Sequence, residues 1–168
     1  MDKLYRELNM SLRHFHLVTL VGYCEQRQAL VFEYMAGGTL QDVLRDKQLR
    51  AKASLWRRGM WLLQVVSGLW FLHCALIQAV VHLDIKPSNV VLSLDRKVAN
   101  LADMGLAKLC KKEMGSSDLG VPCTEIYIDP LYRKSGVPQP RSDVYQFGLM
   151  ILQVLTGKDT PKEAIAVA

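Results

Sequence analysis

"VVHLDIKPSNVVLS", residues 80–93, places an acid, a lysine and an amide between two short apolar runs. Asp84 stands three positions before Pro87 and five before Asn89. A carboxylate among strand-forming residues is costly to desolvate unless a cation sits against it. A second acid follows in "ADMG", where Asp103 precedes Met104 and a glycine that lets the backbone turn. Phosphoryl transfer asks for such a set: hard oxygens for divalent metal, a carboxylate to accept a hydroxyl proton, and a cation beside the transferring group. Asp84 supplies the carboxylate, Lys86 the cation, and Asn89 and Asp103 the oxygen ligands, with Pro87 stiffening the loop between them.

The surrounding chain is that of a globular domain. Its 168 residues are half hydrophobic, enough to bury a core without disulfides or structural metal. The net charge of +5 comes from scattered basic residues, a pattern that argues against nucleic-acid binding and suits a small phosphate-bearing ligand. Cys24, Cys74, Cys110 and Cys123 have no CxxC spacing and read as small apolar groups in a reducing compartment. Met1–Arg13 is charged and lacks the apolar core of a leader. Phe147–Leu155, the most apolar run, is far shorter than the ~20 residues that span a bilayer. A soluble, cytosolic chain with no direct membrane insertion is expected.

Periodicity places the elements. Leu4, Leu8 and Leu12 form the stripe of a short amphipathic helix. Leu17–Tyr23 and Ala29–Met35 are strand-like, and the polar residues 25–28 between them predict a hairpin. Thr39 is placed to cap a helix bearing Leu40, Val43 and Leu44, after which a Lys- and Arg-rich linker is expected. Residues 54–73 read as a long helix broken near Cys74, and 80–107 as strand fragments punctuated by Pro87 and Gly105. Residues 110–141 show little periodicity, as functional loops do. Ser142 is expected to cap a last helix ending at Gly157, apolar all round and so buried on every side. The class is α+β.

Five stretches, "LRHFHLVTLVGYC", "LVFEYMAGGTL", "VVHLDIKPSNVVLS", "LADMGLAKL" and "RSDVYQFGLMILQVLTGK", occur in the order and spacing of plant receptor-like Ser/Thr protein kinases, which the chain resembles over nearly its whole length. Asp84 and Asn89 stand five apart as in H-R-D-x-x-x-x-N, and Asp103-Met104-Gly105 stands where D-F-G belongs. The resemblance implies a protein kinase-like fold over 1–168: residues 1–35 as part of the small lobe, with its helix, two strands and the start of the hinge, and 36–168 as the mainly helical large lobe through its central apolar helix. It implies ATP and Mg2+ as cofactors and a protein substrate, with a receptor or another kinase as further partner. Asp84 would be the catalytic base and Lys86 would contact the γ-phosphate. Asn89 and Asp103 would hold the magnesium ions. Glu33, Tyr34 and Met35 would be the hinge that bonds the adenine, with Phe32 as gatekeeper and Val91 beneath the base. Residues 103–130 would be the activation segment, with Ser116, Ser117 and Thr124 as candidate phosphorylation sites. Asp143 would hold the His82–Asp84 turn. In a longer receptor-like protein this domain would lie at the cytosolic face of the plasma membrane.

Plainer readings stand beside these. His82 reads equally as a core histidine packed beneath the metal loop. Asp143 alone would be a helix N-terminal acid and Lys86 a solvated loop lysine, while Met104 reads as core. The chain also departs from the family. It has no G-x-G-x-x-G loop and no V-A-I-K strand, which points to a fragment or degenerate copy and leaves open an alternative, a pseudokinase that binds partners without turnover. A small helical interaction protein without ligand is a third reading. Leu83 replaces the arginine that grips a phosphorylated activation loop, so control by phosphorylation is expected to weaken. Ile126 and Leu131 replace a glycine and a glutamate further along.

Overall fold

The structure, a computed structural model, describes residues 12–27, 29–110 and 125–168. Most of the Leu4–Leu8–Leu12 stripe and the candidate sites Ser116, Ser117 and Thr124 lie outside them.

The predicted hairpin forms. Leu20–Cys24 (β1) pairs antiparallel with Ala29–Phe32 (β2), Tyr23 opposite Leu30 and Leu20 opposite Phe32. Both strands are shorter than the apolar runs that predicted them, and the flank before β1 pairs elsewhere. Leu17 bridges to Leu101, and the Val18 N–H donates to the Leu101 carbonyl at 2.9 Å.

A capping box starts the next helix, Leu40–Arg45 (α1). The Thr39 hydroxyl accepts from the Asp42 N–H, while the Asp42 carboxylate accepts from the Thr39 N–H, satisfying donors the helix cannot. The stretch expected as a linker is instead a helix, Lys47–Lys52 (α2). Asp46 makes it one by accepting the N–H groups of Gln48 and Leu49 at 2.7 and 3.0 Å.

Leu55–Trp70 (α3), capped by Ser54, buries Trp61, Leu62, Val65 and Leu69, a helical stripe. The expected break near Cys74 is a change of pitch: Phe71–Ala75 continues as a π-helical turn that buries Leu72. Val80–Val81 (β3) pairs with Lys108–Leu109 (β6), and Val90–Leu92 (β4) with Ala99–Leu101 (β5), all antiparallel. Two connecting stretches extend the second pair. Residues 16–18 bond along β5, and Gly37 and Gly38 exchange bonds with Leu92 on β4. The hinge side of the hairpin is thereby stitched to the strands that flank Asp84 and Asp103.

Part of the stretch expected to be irregular is helical. Pro130–Ser135 (α4) is capped by Asp129, whose carboxylate accepts from the Leu131 N–H at 3.0 Å. Pro140–Thr156 (α5) begins two residues before Ser142 and ends at Gly157 in the left-handed conformation. Ser142 is therefore not the cap; it is buried inside the first turn, where its hydroxyl donates to Asp129 at 3.0 Å. Nor is α5 buried on every side. Its inward stripe is half polar, with Ser142, Asp143, Gln146 and Gln153 beside Leu149, Met150 and Val154, while Val144 stays 62% exposed. Pro161–Ile165 (α6) follows.

One core joins α3, β4, β5 and α5 through Trp61, Val65, Leu92, Leu101, Met150 and Val154. A smaller cluster gathers Val81, Leu83 and Tyr132, with Leu106 and Ile128 against it. Among the described residues no helix is long and apolar enough to cross a membrane.

Candidate active site

The 82–85 turn is held almost entirely by side chains. Asp143, fully buried, accepts the His82 N–H on Oδ2 and the Leu83 N–H on Oδ1, each at 2.8 Å. His73 Nε2 lies 2.8 Å from the same carboxylate. Gln146, one helical turn on, accepts the Ile85 N–H at 2.9 Å and donates to the Leu83 carbonyl at 3.0 Å. Neither His73 nor Gln146 was singled out from sequence. The spacing of Gln146 from Asp143, three residues within a helix, was the available signal, since such residues share a face.

His82 is the core histidine of the plainer reading. Its Nε2 lies 3.1 Å from the Ala102 carbonyl, and its Nδ1 accepts the Asp84 N–H at 3.3 Å. These bonds fix the tautomer with the proton on Nε2. Burial holds its pKa below the ordinary value, against the opposing pull of Asp143, Asp84 and Asp103. The histidine thus sits under both acid-bearing loops.

The Asp84 carboxylate is 6% exposed and its two oxygens are treated differently. Oδ2 receives Lys86 Nζ at 2.7 Å and Asn89 Nδ2 at 2.8 Å. Oδ1 is buried without a hydrogen-bond partner among the described residues. A buried acceptor left open costs free energy and calls for an explanation, of which a catalytic role is one. Asn89 also donates to the Asp84 carbonyl at 2.9 Å. With its amide nitrogen so committed, Oδ1 of Asn89 is what it offers to a cation.

Asp103 lies across the strand pair from this loop. The Ala102 N–H donates to the Asn89 carbonyl at 2.8 Å, so the two prospective cation ligands are tied together through the main chain. Asp103 adopts the left-handed conformation (φ 63°), where its carboxylate accepts the Gly105 N–H at 3.2 Å. Among the described residues no three His, Cys, Asp or Glu side chains converge as a metal centre. One carboxylate and one amide oxygen suit magnesium, which keeps several waters and takes further oxygens from phosphates.

Beside Asp103 opens a cavity of about 370 Å³ lined by Val18, Phe32, Glu33, Tyr34, Met35, Val91, Ala102 and Asp103. Six of these eight residues are ones the sequence marked for nucleotide; Val18 and Ala102 are additions. Ala102 was overlooked because a lone alanine carries no chemistry, although it immediately precedes Asp103. Within the hinge stretch the Glu33 side chain is committed inward, its Oε1 accepting the Thr19 N–H at 2.7 Å. The Glu33 N–H donates to the Thr19 carbonyl at 2.9 Å. Tyr34 is 89% exposed.

The protein kinase domain family matches residues 2–165. U-box domain-containing protein 34 of Arabidopsis thaliana is 34% identical over 159 residues, 91% of this chain. U-box domain-containing protein 52 of the same plant is 37% identical over 160 residues, 90% of the chain. Receptor protein kinase WSS1 of Oryza sativa subsp. japonica is 37% identical over 152 residues, 88% of the chain. The chain spans 20%, 18% and 17% of these three proteins respectively.

Proposed function

This chain belongs to the protein kinase family, and on that premise we propose that it transfers the γ-phosphate of ATP to a serine or threonine hydroxyl of a protein. The single observation that carries the reading is the divided Asp84 carboxylate: Oδ2 pinned by Lys86 and Asn89, Oδ1 buried and, among the described residues, without a hydrogen-bond partner. A base oriented through one oxygen has the other ready for the substrate hydroxyl.

The adenine would lie in the cavity between Val18 and Val91, against the main chain of 33–35. Because the Glu33 N–H is already bonded to Thr19, the groups left to read the base are the Glu33 carbonyl and the main chain at Tyr34 and Met35. Asn89 and Asp103 would hold magnesium, which supplies charge neutralisation on the phosphates when bound. In the transfer the hydroxyl oxygen bonds to the γ-phosphorus as the bond from that phosphorus to the β–γ bridging oxygen breaks. The hydroxyl proton passes to Asp84 Oδ1, and ADP departs with the bridging oxygen. Lys86 offsets charge on the phosphoryl group in flight. Similarity to a receptor protein kinase supports a place in signalling at the cytosolic face of a membrane, with a receptor or another kinase as partner.

The test is nucleotide binding followed by transfer, on the whole chain. Mg-ATP should raise the melting temperature of the protein but not that of Asp103→Ala, and radiolabel from γ-labelled ATP should reach casein with wild type but not with Asp84→Ala. Label transfer that persists in Asp84→Ala would remove the base from the mechanism. Binding without any transfer would make the chain a nucleotide-binding interaction module.

A further inference from the structure

We propose that Gln146 is a positioning residue for Asp84, gripping the main chain on both sides of the base; the inference rests on the kinase reading above. The Gln146 amide is 2% exposed and uses both ends on the same turn. Its Oε1 accepts from Ile85, the residue after the base, and its Nε2 donates to the carbonyl of Leu83, the residue before it. Asp84 is therefore bracketed by one rigid, planar group. Rotating either peptide plane flanking Asp84 would break one of the two bonds, and such rotation is what swings the carboxylate relative to Lys86 and Asn89.

The turn needs this grip. Leu83 sits at φ 69°, a left-handed conformation that costs a non-glycine residue roughly 1–2 kcal/mol. Strained residues persist only where their surroundings over-determine them. Asp143 fixes the N–H groups of His82 and Leu83, accepting on both of its oxygens. It cannot hold the Leu83 carbonyl, and it does not reach past the base. An amide one turn along the same helix face offers both a donor and an acceptor, and supplies both missing contacts. The two residues thus divide the turn, Asp143 holding the entrance and Gln146 the segment that contains the base.

The experiment compares the whole chain with Gln146→Met, which fills the space without either bond, and Gln146→Glu. Label transfer to casein gives kcat and the KM for ATP, and amide hydrogen exchange is followed residue by residue. Gln146→Met should lose about 10- to 100-fold in kcat with KM changed less than about twofold. Exchange should quicken at the Ile85 amide while Val90–Leu92 keep their protection. Gln146→Glu should recover activity relative to wild type as the pH falls, because the protonated carboxyl regains a donor for the Leu83 carbonyl. Burial raises the pH at which that proton is held. An unchanged kcat, a loss of protection spread equally over β4, or a flat pH ratio for Gln146→Glu would each overturn the proposal. If the wild-type chain transfers no label, the kinase reading fails by itself, and the Ile85 amide then decides the grip: quickened exchange in Gln146→Met upholds it, unchanged exchange rejects it.

Discussion

The Leu83 N–H meets the Asp143 carboxylate at 2.8 Å although 60 residues separate them in sequence. That bond, with its neighbour from His82, fastens the loop carrying Asp84 to the helix at the centre of the domain. Asp143→Ala would strand two buried N–H groups and remove the partner of His73. Leaving a buried N–H without its acceptor costs about 1–3 kcal/mol for each group. Asp143→Asn, which keeps one acceptor oxygen, should lose less. Urea unfolding of the three proteins measures this, and a midpoint for Asp143→Ala within error of wild type would refute the role.

Leu83 itself is fully buried with Val81 and Tyr132, and Leu106 and Ile128 pack against the group. A side chain in this place joins the 82–85 turn to Leu106 and Ile128 by apolar contact, where an arginine would offer charge. Leu83→Ala should cost about 2–5 kcal/mol through the cavity it leaves. Leu83→Arg should be at least as damaging, since the apolar cluster offers the guanidinium no counter-charge. Limited proteolysis should cut near Leu106 and Ile128 faster in both variants. Wild-type stability in Leu83→Arg would mean the cluster tolerates the charge.

The elements that sequence revealed are those whose cause is local. Thr39, Ser54 and Gly157 mark helix ends because capping is chemistry within one turn. The loop of Asp84, Lys86 and Asn89 stood out because an acid, a lysine and an amide lie between apolar runs, and the structure brings the three together. What escaped notice depends on contacts between distant segments. Asp46 is as good a cap as Thr39, yet the basic residues after it suggested a linker. Ser142 looked like a cap, but Pro140 already opens the helix and the serine hydroxyl serves Asp129 instead. The polar stripe of α5 was hidden for the same reason. Gln146 and Gln153 look like surface residues until the turns they bond are known, and Gln153 takes the Tyr127 hydroxyl at 2.6 Å.

Gly37 stands where the hinge side of the hairpin joins β4, its N–H bonded to the Leu92 carbonyl at 2.9 Å. A Cβ there would press on the Ser93 carbonyl and lie 2.7 Å from the Leu92 carbonyl oxygen. Both obstacles are backbone, so a side chain cannot simply swing aside. Gly37→Ala should therefore cost about 1–3 kcal/mol and weaken Mg-ATP binding, because the seam that sets the distance from the hinge to Val91 must open. A variant with unaltered melting temperature and ATP affinity would show that the seam is slack.

The buried His82 gives stability a pH dependence of definite sign. Burial depresses its pKa below 6.5 in the folded chain, though Asp143, the Ala102 carbonyl, Asp84 and Asp103 pull the other way. Unfolding restores the ordinary value, so below about pH 6.5 the unfolded chain binds a proton that the folded chain refuses. Stability must then fall as the pH drops through that range, at up to about 1.4 kcal/mol per pH unit from this one group. His82→Gln removes the titrating ring and should flatten this part of the slope, although it is less stable at neutral pH. Denaturant unfolding of both proteins between pH 7 and 5 makes the comparison. Equal slopes would mean that His82 takes up its proton in the folded state, and that the ring beneath the Asp84 loop is charged where the geometry requires it neutral.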